Sequence, residues 1–144
     1  MPYDHILIAV DLSPEARQLC ERGQEQAAAG QPRISLMHVV EPILALPPYE
    51  LPSAYPEGLE ESMVEHAEQR LQDLAREFSL SEWDLHVGIG ATKSVILEYA
   101  ETKQVDLIIV GSHGRHGVKA LLGSTANAII HHAACDVLAV RISD

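Results

Sequence analysis

The fold is decided by VDLIIVGSHGRHGVKALLGST, residues 105–125. An apolar run typical of a buried strand leads directly into a glycine-rich loop, and the loop leads to Gly123-Ser124-Thr125 at the start of a final helix. Glycine lets the backbone come close to a ligand. A helix N-terminus presents unpaired N–H groups and the positive end of the helix dipole. The stretch therefore predicts a cradle for phosphate groups.

Strand-like and helix-like segments alternate along the rest of the chain. The predicted strands are Tyr3–Val10, Arg33–Val40, Trp83–Val87, Val105–Val110 and Asp136–Ile142, and the predicted helices are 14–29, Leu59–Phe78, Thr92–Thr102 and Ser124–His132. This alternation predicts an α/β fold in one domain over residues 1–144: an open, doubly wound, Rossmann-like, five-stranded parallel sheet with helices on both faces. Ligands of such sheets bind at the carboxyl ends of strands, where Asp11, Val39 and Gly111 are expected.

Local signals predict how some of these elements begin and end. Ser13 is a favourable N-cap before Pro14, and Thr92 is a candidate cap for the third helix. Gly88-Ile89-Gly90 predicts a turn. The second helix carries one apolar stripe, formed by Met63, Ala67, Leu71, Leu74 and Phe78. Five prolines in residues 41–58 disfavour regular structure, so we expect a mobile loop that is either a lid or simply disordered.

Composition excludes several classes of protein. Ten Lys and Arg against 21 Asp and Glu give a net charge of −11, so the chain should repel nucleic acid. Residues 107–135 contain no acid, which leaves the glycine loop locally positive. We expect no membrane span and no signal peptide. The two cysteines, Cys20 and Cys135, fit no metal or redox spacing, so we predict a reduced cytoplasmic protein.

Familiar nucleotide and hydrolase motifs are missing, but a glycine pattern remains. The Walker, dinucleotide-binding and nucleophile-elbow patterns all fail. The pattern that remains, Gly111-x2-Gly114-x8-Gly123-Ser124, resembles the universal stress protein family. Three longer segments also resemble this family: HILIAVDLSPEA, ISLMHVVEP and VDLIIVGSHGRHG…LLGSTANAIIHHAACDVLAVR. Together the resemblance covers essentially the whole chain. ATP-binding members of that family are recognised by G-x2-G-x9-G-[ST], and this chain has one residue fewer between Gly114 and Gly123.

The resemblance implies a site for ATP, possibly with Mg²⁺. Its matching positions are Ala9, Val10, Asp11, Val39, Gly111, Gly114, Arg115, Gly123, Ser124 and Thr125. Ala9, Val10 and Val39 would meet the adenine. Asp11 would face the ribose and phosphates or a Mg²⁺ ion, the loop would wrap ribose and phosphates, and residues 123–125 would hold the outer phosphates. The resemblance also implies a homodimer joined through the last strand, about 136–142.

Several alternatives stay open at this point. One alternative role for Asp11 is to favour a helix start through its charge, and one for the glycines is to form a tight turn without a ligand. His38 fits a hydrogen-bonded core residue. A cytoplasmic, nucleotide-dependent stress regulator with an unknown protein partner is the favoured function. A slow nucleotide hydrolase or nucleotidyl transferase and a ligand-free dimeric scaffold are the alternatives. The hydrolase is disfavoured because Asp11 is the one acid expected at the crevice and the sequence places no general base there.

Overall fold

The structure, a computed structural model, describes residues 2–42, 49, 57–78, 83–112 and 123–142. Within these ranges the elements follow one another as β1 (His5–Ala9), α1 (Ala16–Ala27), β2 (Arg33–Val40), α2 (Leu59–Glu77), β3 (Asp84–Ile89), α3 (Thr92–Thr102), β4 (Leu107–Gly111), α4 (Ser124–His132) and β5 (Asp136–Val140).

The five strands form one parallel sheet in the order β3-β2-β1-β4-β5. The chain winds outward from β1 through β2 to β3, then returns to the other side of β1 with β4 and β5. Helices α1 and α2 pack on one face of the sheet, and α3 and α4 pack on the other. The predicted doubly wound α/β fold is confirmed.

The core lies in two layers, one on each face of the sheet. Alternate residues of a strand point to opposite faces, so Ile6 and Ile8 of β1 belong to the layer under α1 and α2, whereas Leu7 belongs to the layer under α3 and α4. Strands covered on both sides must be apolar throughout. This requirement explains why β1 and β4 are uninterrupted runs of large aliphatic residues.

Helix α1 comes especially close to the sheet at Gly23. A Cβ atom at this position would collide with the side chain of Ile8 and would lie 3.9 Å from Cδ1 of Ile109. The helix therefore rests across the junction of β1, the central strand, and its neighbour β4, because Gly23 has no side chain.

A buried polar cluster joins the sheet to α3 at the edge where the strands begin. The side chains of His5 and Ser35 are buried, with Ser35 completely inaccessible. The Lys103 carbonyl lies 3.1 Å from His5 Nδ1 and can only accept, so in the neutral ring Nδ1 carries the proton. His5 Nε2 then accepts from the Ser35 hydroxyl at 2.8 Å, and the Tyr99 hydroxyl donates to Ser35 Oγ at 3.0 Å. The pairing of a serine with a histidine is structural here, since Ser35 is inaccessible.

Element boundaries match the sequence-based predictions closely in places. The predictions for β2 and α4 are confirmed to the residue, and α2 ends one residue before the predicted Phe78. The other strands are shorter than predicted or displaced by one or two residues. The predicted apolar stripe of α2 holds at Ala67 and Leu71, which are buried, but Met63 is 36% exposed and is not part of the core.

The predicted start of α1 was wrong. The helix begins at Ala16 rather than Pro14, and Ser13 does not cap it. Instead the Ser13 N–H donates to Asp11 Oδ1 at 3.0 Å, and the Ser13 carbonyl accepts from the Ala16 N–H at 3.0 Å. An aspartate that bonds the backbone two residues later forms a turn that competes with helix, so the chain completes this turn before α1 begins.

The predicted turn at Gly88-Ile89-Gly90 was also wrong, because Gly88 and Ile89 belong to β3. Gly88 suits a strand here because Val95 of α3 occupies the space that a Cβ would need, at 2.5 Å. Only Gly90, with φ of 140°, has the left-handed backbone of a turn residue.

Thr92 does not cap α3 as predicted. Its side chain makes no cap bond; its hydroxyl donates to Glu41 Oε1 at 2.7 Å, and its N–H reaches the same oxygen at 3.4 Å. The cap therefore comes from Glu41, which directly follows β2. Most of the predicted loop over 41–58 lies outside the described residues, so its mobility stays a prediction.

Candidate functional site

A cleft of about 800 Å³ opens at the edge where the parallel strands end. It lies where the winding direction reverses between β1 and β4, which is where open α/β sheets bind ligands. The described residues that line it are Ala9, Val10, Asp11, Leu12, Ser13, Pro14, Glu15, Ala16, Leu19, Met37, His38, Val39, Arg70, Thr92, Ile96, Val110, Gly111, Gly123, Ser124, Thr125, Ala126 and Ile142.

The cleft brings together eight of the ten residues that sequence reasoning selected. They are Ala9, Val10, Asp11, Val39, Gly111, Gly123, Ser124 and Thr125. The other two, Gly114 and Arg115, lie outside the described residues, as do His113 and His116. Residues far apart in the chain thus meet at one sheet edge.

One wall of the cleft is apolar. Ala9, Met37, Val39, Ile96 and Val110 line the cleft and all belong to the core layer under α3 and α4. They come from three neighbouring strands and from α3. Such a wall suits the flat face of an aromatic ring.

Next to this wall, β2 extends beyond the end of β1. The Val10 N–H donates to the Met37 carbonyl at 2.8 Å, so the peptide groups of Met37 are directed toward β1. Alternate residues of a strand direct these groups to the same side, so Val39 also directs its N–H and carbonyl toward β1. Since β1 ends at Ala9, the Val39 peptide groups face the cleft. They offer a donor and an acceptor beside the apolar wall.

The opposite side of the cleft is the start of α4. The Gly123 N–H donates to the Ser112 carbonyl at 2.6 Å, which ties the helix start to the chain just after β4. No side chain of the described residues caps α4, and its first turn holds no acid. The hydroxyls of Ser124 and Thr125 add two donors to the helix N–H groups there.

The other helix starts at this edge of the sheet carry carboxylates. Glu15 occupies the N-cap position of α1, with Asp11 in the turn before it, and Glu41 binds at the start of α3. A carboxylate already satisfies the positive end of a helix. Among the described helix starts that line the cleft, the start of α4 is the one with no nearby carboxylate in its cap or first turn, so it is the most suitable of them for an additional anion.

Comparison with known proteins fits this arrangement. A family model described as the universal stress protein family matches residues 2–141. The chain belongs to the universal stress protein family. Universal stress protein A homolog 2 of Coxiella burnetii is 43% identical over 97% of this chain and 96% of its own length. Homolog 1 of the same organism is 39% identical over the full length of both chains.

Solved structures of family members share the fold. Universal stress protein UspA from Lactobacillus plantarum superposes with a TM-score of 0.76 at 23% identity, over 98% of this chain and 99% of its own. A universal stress protein in complex with cAMP has a TM-score of 0.71 at 19% identity, over 99% of this chain and 100% of its own. A family protein from Arabidopsis thaliana with AMP bound has a TM-score of 0.64 at 16% identity, over 97% of this chain and 92% of its own. These likenesses establish the fold.

Sequence reasoning missed five polar residues of the cleft: Ser13, Glu15, His38, Arg70 and Thr92. Ser13 and Thr92 carry cap predictions instead, and Arg70 lies far from every motif. Glu15 is a second acid at the cleft, where the sequence led us to expect Asp11 alone. His38 had been assigned to the core; it is half-buried and its Nδ1 lies 2.8 Å from the Val10 carbonyl. Because a carbonyl only accepts, Nδ1 carries the proton in the neutral ring, and Nε2 then carries a lone pair. The tautomer of this imidazole is fixed by the strand beside it.

Among the described residues, no group of three or more His, Cys, Asp or Glu side chains is arranged to hold a metal ion, so a metal here would need ligand atoms from a bound molecule. Within the described ranges, every helix is too short or too polar to span a lipid bilayer.

Proposed function

We propose that this universal stress protein binds an adenine nucleotide in the cleft, ATP with Mg²⁺ in particular, and acts in the cytoplasm as a nucleotide-dependent regulatory switch. The observation that carries the proposal is the pairing, in one cleft, of an apolar wall with an acid-free helix start that no described side chain caps. The wall suits a base and the helix start suits phosphate. The AMP and cAMP complexes of structurally similar family members support the same ligand class.

The base would lie against Ala9, Met37 and Ile96, next to the peptide groups of Val39. Adenine carries an amino donor and a ring-nitrogen acceptor on adjacent atoms, which matches a carbonyl and an N–H from the same residue. The phosphates would extend toward residues 123–125, with Gly111, Gly114 and Arg115 completing the loop around them. Gly114 and Arg115 enter the proposal from the sequence alone.

A Mg²⁺ ion would be held by Asp11 and by the phosphates themselves. Mg²⁺ is usually bound through one or two carboxylates together with substrate phosphates and water, and the cleft offers Asp11 as such a carboxylate. When bound, the ion would neutralise charge on the phosphates. The donor set of the described residues fits that arrangement and does not fit a site built from protein ligands alone.

A slow nucleotide hydrolase is the second candidate, and His38 is the observation that favours it. An imidazole with Nδ1–H held by a carbonyl presents a basic Nε2, which is how many general bases are oriented. We expect hydrolysis far slower than the roughly 1–1000 per second of typical enzymes. Steady turnover that is lost in His38→Gln, with nucleotide affinity unchanged, would favour the hydrolase over the switch.

We also propose that the protein is a homodimer joined through β5 and that nucleotide occupancy changes its binding to a regulatory protein partner. Strand β5 lies at an edge of the sheet, where its outer peptide groups have no neighbouring strand within the described part of the chain. Pairing with a second copy about a two-fold axis would satisfy these groups. The unpaired state of Cys20 and Cys135 supports a reducing compartment.

Isothermal titration calorimetry with ATP, ADP and AMP in the presence of Mg²⁺ tests nucleotide binding. We expect micromolar affinity for ATP, a binding free energy of about −8 kcal/mol. Ser124→Ala should weaken ATP binding by roughly 1.5–3 kcal/mol, because it removes a hydroxyl donor to a charged group. Ser94→Ala, an exposed serine in the first turn of α3, is the matched control and should bind normally. No heat at millimolar nucleotide would contradict the proposal and favour the ligand-free scaffold.

A further inference from the structure

Helix α2 reaches into the cleft through a single side chain. Arg70 leaves the middle of the helix and its Nη2 donates to the carbonyl of Leu12 at 3.2 Å. Among the described residues that line the cleft, it is the one Arg or Lys. Arg70 therefore connects α2 to the turn between β1 and α1, from 58 residues further along the chain.

The residue that Arg70 holds has an unfavourable backbone conformation. Leu12 has φ of 65°, in the left-handed region. This region is sterically unfavourable for every L-residue except glycine. Such a conformation persists where surrounding contacts impose it. The contact with Arg70 is one of these, because it fixes the carbonyl that the left-handed conformation turns toward α2.

The same turn carries Asp11, which the proposed function places beside the phosphates and Mg²⁺. The Ser13 N–H donates to Asp11 Oδ1 at 3.0 Å on one side of Leu12, and Arg70 binds the Leu12 carbonyl on the other. The direction of the Asp11 carboxylate thus depends on the conformation of this turn, and the hydrogen bond from Arg70 is one of the contacts that stabilise that conformation. Val10, another residue of the cleft, directly precedes this turn.

We propose that Arg70 is a positioning residue of the nucleotide site: it holds Leu12 in the left-handed conformation, and so links α2 to nucleotide binding. This inference rests on the proposed function for its ligand, but the positioning itself is a property of the free protein. Direct contact of Arg70 with phosphate is the competing role.

The test compares Arg70→Met and Arg70→Lys with Arg76→Met. Arg76 is exposed, as Arg70 is, but it bonds Asp73 on its own helix and lies outside the cleft, so it controls for loss of charge on α2. In the free protein, Arg70→Met should speed amide hydrogen exchange at Ser13 by roughly fivefold, the effect of losing one ordinary hydrogen bond. Arg70→Lys should largely restore the slow exchange, because an ammonium group also donates to a carbonyl. Unchanged exchange in Arg70→Met would overturn the positioning role.

Titrations with ATP and Mg²⁺ separate positioning from phosphate contact when Arg70→Met is made both in the wild type and in Asp11→Asn. If Arg70 acts through the turn that carries Asp11, Arg70→Met weakens ATP binding by roughly fivefold in the wild type and has little further effect in Asp11→Asn. The same fivefold loss in both backgrounds would show that Arg70 contacts phosphate directly and would overturn the proposal. If the wild-type protein does not bind ATP, the proposed function fails, while the exchange measurement still decides whether Arg70 holds the turn.

A double-mutant comparison makes the role of Leu12 specific. Glycine adopts positive φ without steric cost, so Leu12→Gly no longer needs Arg70 to impose this conformation. Arg70→Met should then change Ser13 exchange and nucleotide affinity less in the Leu12→Gly background than in the wild type. Equal effects in both backgrounds would contradict the proposed link through Leu12.

Discussion

At the scale of single residues, the buried polar cluster at the beginning of the sheet makes a clear prediction. Ser35→Ala leaves both the Tyr99 hydroxyl and His5 Nε2 without their partner. Leaving a buried donor or acceptor unsatisfied costs roughly 1–3 kcal/mol, so we expect a loss of this size in the free energy of unfolding, measured by urea denaturation. Ser62→Ala, at an exposed position of α2, should be nearly neutral. Equal stability of Ser35→Ala and wild type would mean that water replaces the lost hydroxyl.

Cys20 gives the protein a specific dependence on alkaline pH. Burial, with smaller contributions from Glu77 and Glu21, raises the pKa of this thiol from 9.0 to about 12. Between pH 9 and about 12 the unfolded chain loses the proton while the folded protein keeps it, so stability falls as pH rises. One such proton contributes at most about 1.4 kcal/mol per pH unit.

Denaturation as a function of pH tests the contribution of Cys20. Cys20→Ala should lose stability less steeply above pH 9 than the wild type, whatever its stability at neutral pH. Cys135→Ala is the control, because burial also raises the pKa of Cys135 but this thiol is less buried. Parallel stability curves for Cys20→Ala and wild type would show that the Cys20 thiol ionises equally easily in both states.

At the scale of elements, the sequence predicts the order and type of every described helix and strand because each has a strong periodic or continuous apolar pattern. The failures occur where a side chain from elsewhere in the fold replaces a local signal. Glu41 takes over the capping of α3 that Thr92 was expected to provide, and Asp11 draws Ser13 into a turn. Such replacements depend on contacts that exist only after the sheet has formed.

The site shows the same division between local and tertiary information. Asp11 and Ser124 could be selected from the sequence because each directly follows or begins an element at the ligand-binding edge. Arg70 could not, since nothing in the spacing of α2 distinguishes it from Arg76 on the same helix. His38 was visible, but its apolar neighbours favoured a core role, and only the sheet register places it at the cleft.

At the scale of the whole molecule, the direction of each peptide group in β5 decides how the proposed dimer can be tested. The Val140 carbonyl accepts from the Ser112 N–H at 2.8 Å, so Val140 directs its peptide groups toward β4. By alternation Leu138 does the same, whereas Ala139 directs its N–H to the open edge. Proline is tolerated on the open side of an edge strand. Substitution at Ala139 therefore disturbs the outer edge and spares the pairing with β4.

Ala139→Pro should shift the protein from dimer to monomer with little change in its circular dichroism spectrum. The substitution removes an outward N–H that a second copy would need. Ala139→Val keeps this N–H and should remain dimeric. Sedimentation velocity at tens of micromolar measures the result. A wild-type protein that sediments as a monomer would contradict the dimer, and a fully dimeric Ala139→Pro would move the interface away from β5.

The order of strands in the sheet also governs when the cleft can form during synthesis. Strand β1 is made first, yet it lies at the centre of the sheet, and β4, its neighbour on one side, is made only after three helices and two further strands. Until then β1 has one open edge, and pairings between distant parts of a chain form slowly. The cleft needs residues 9–11 together with 123–125. A nascent chain therefore gains the ability to bind ligand only after residues 123–125 have been made, so ligand binding would report that β4 and the start of α4 have joined the sheet.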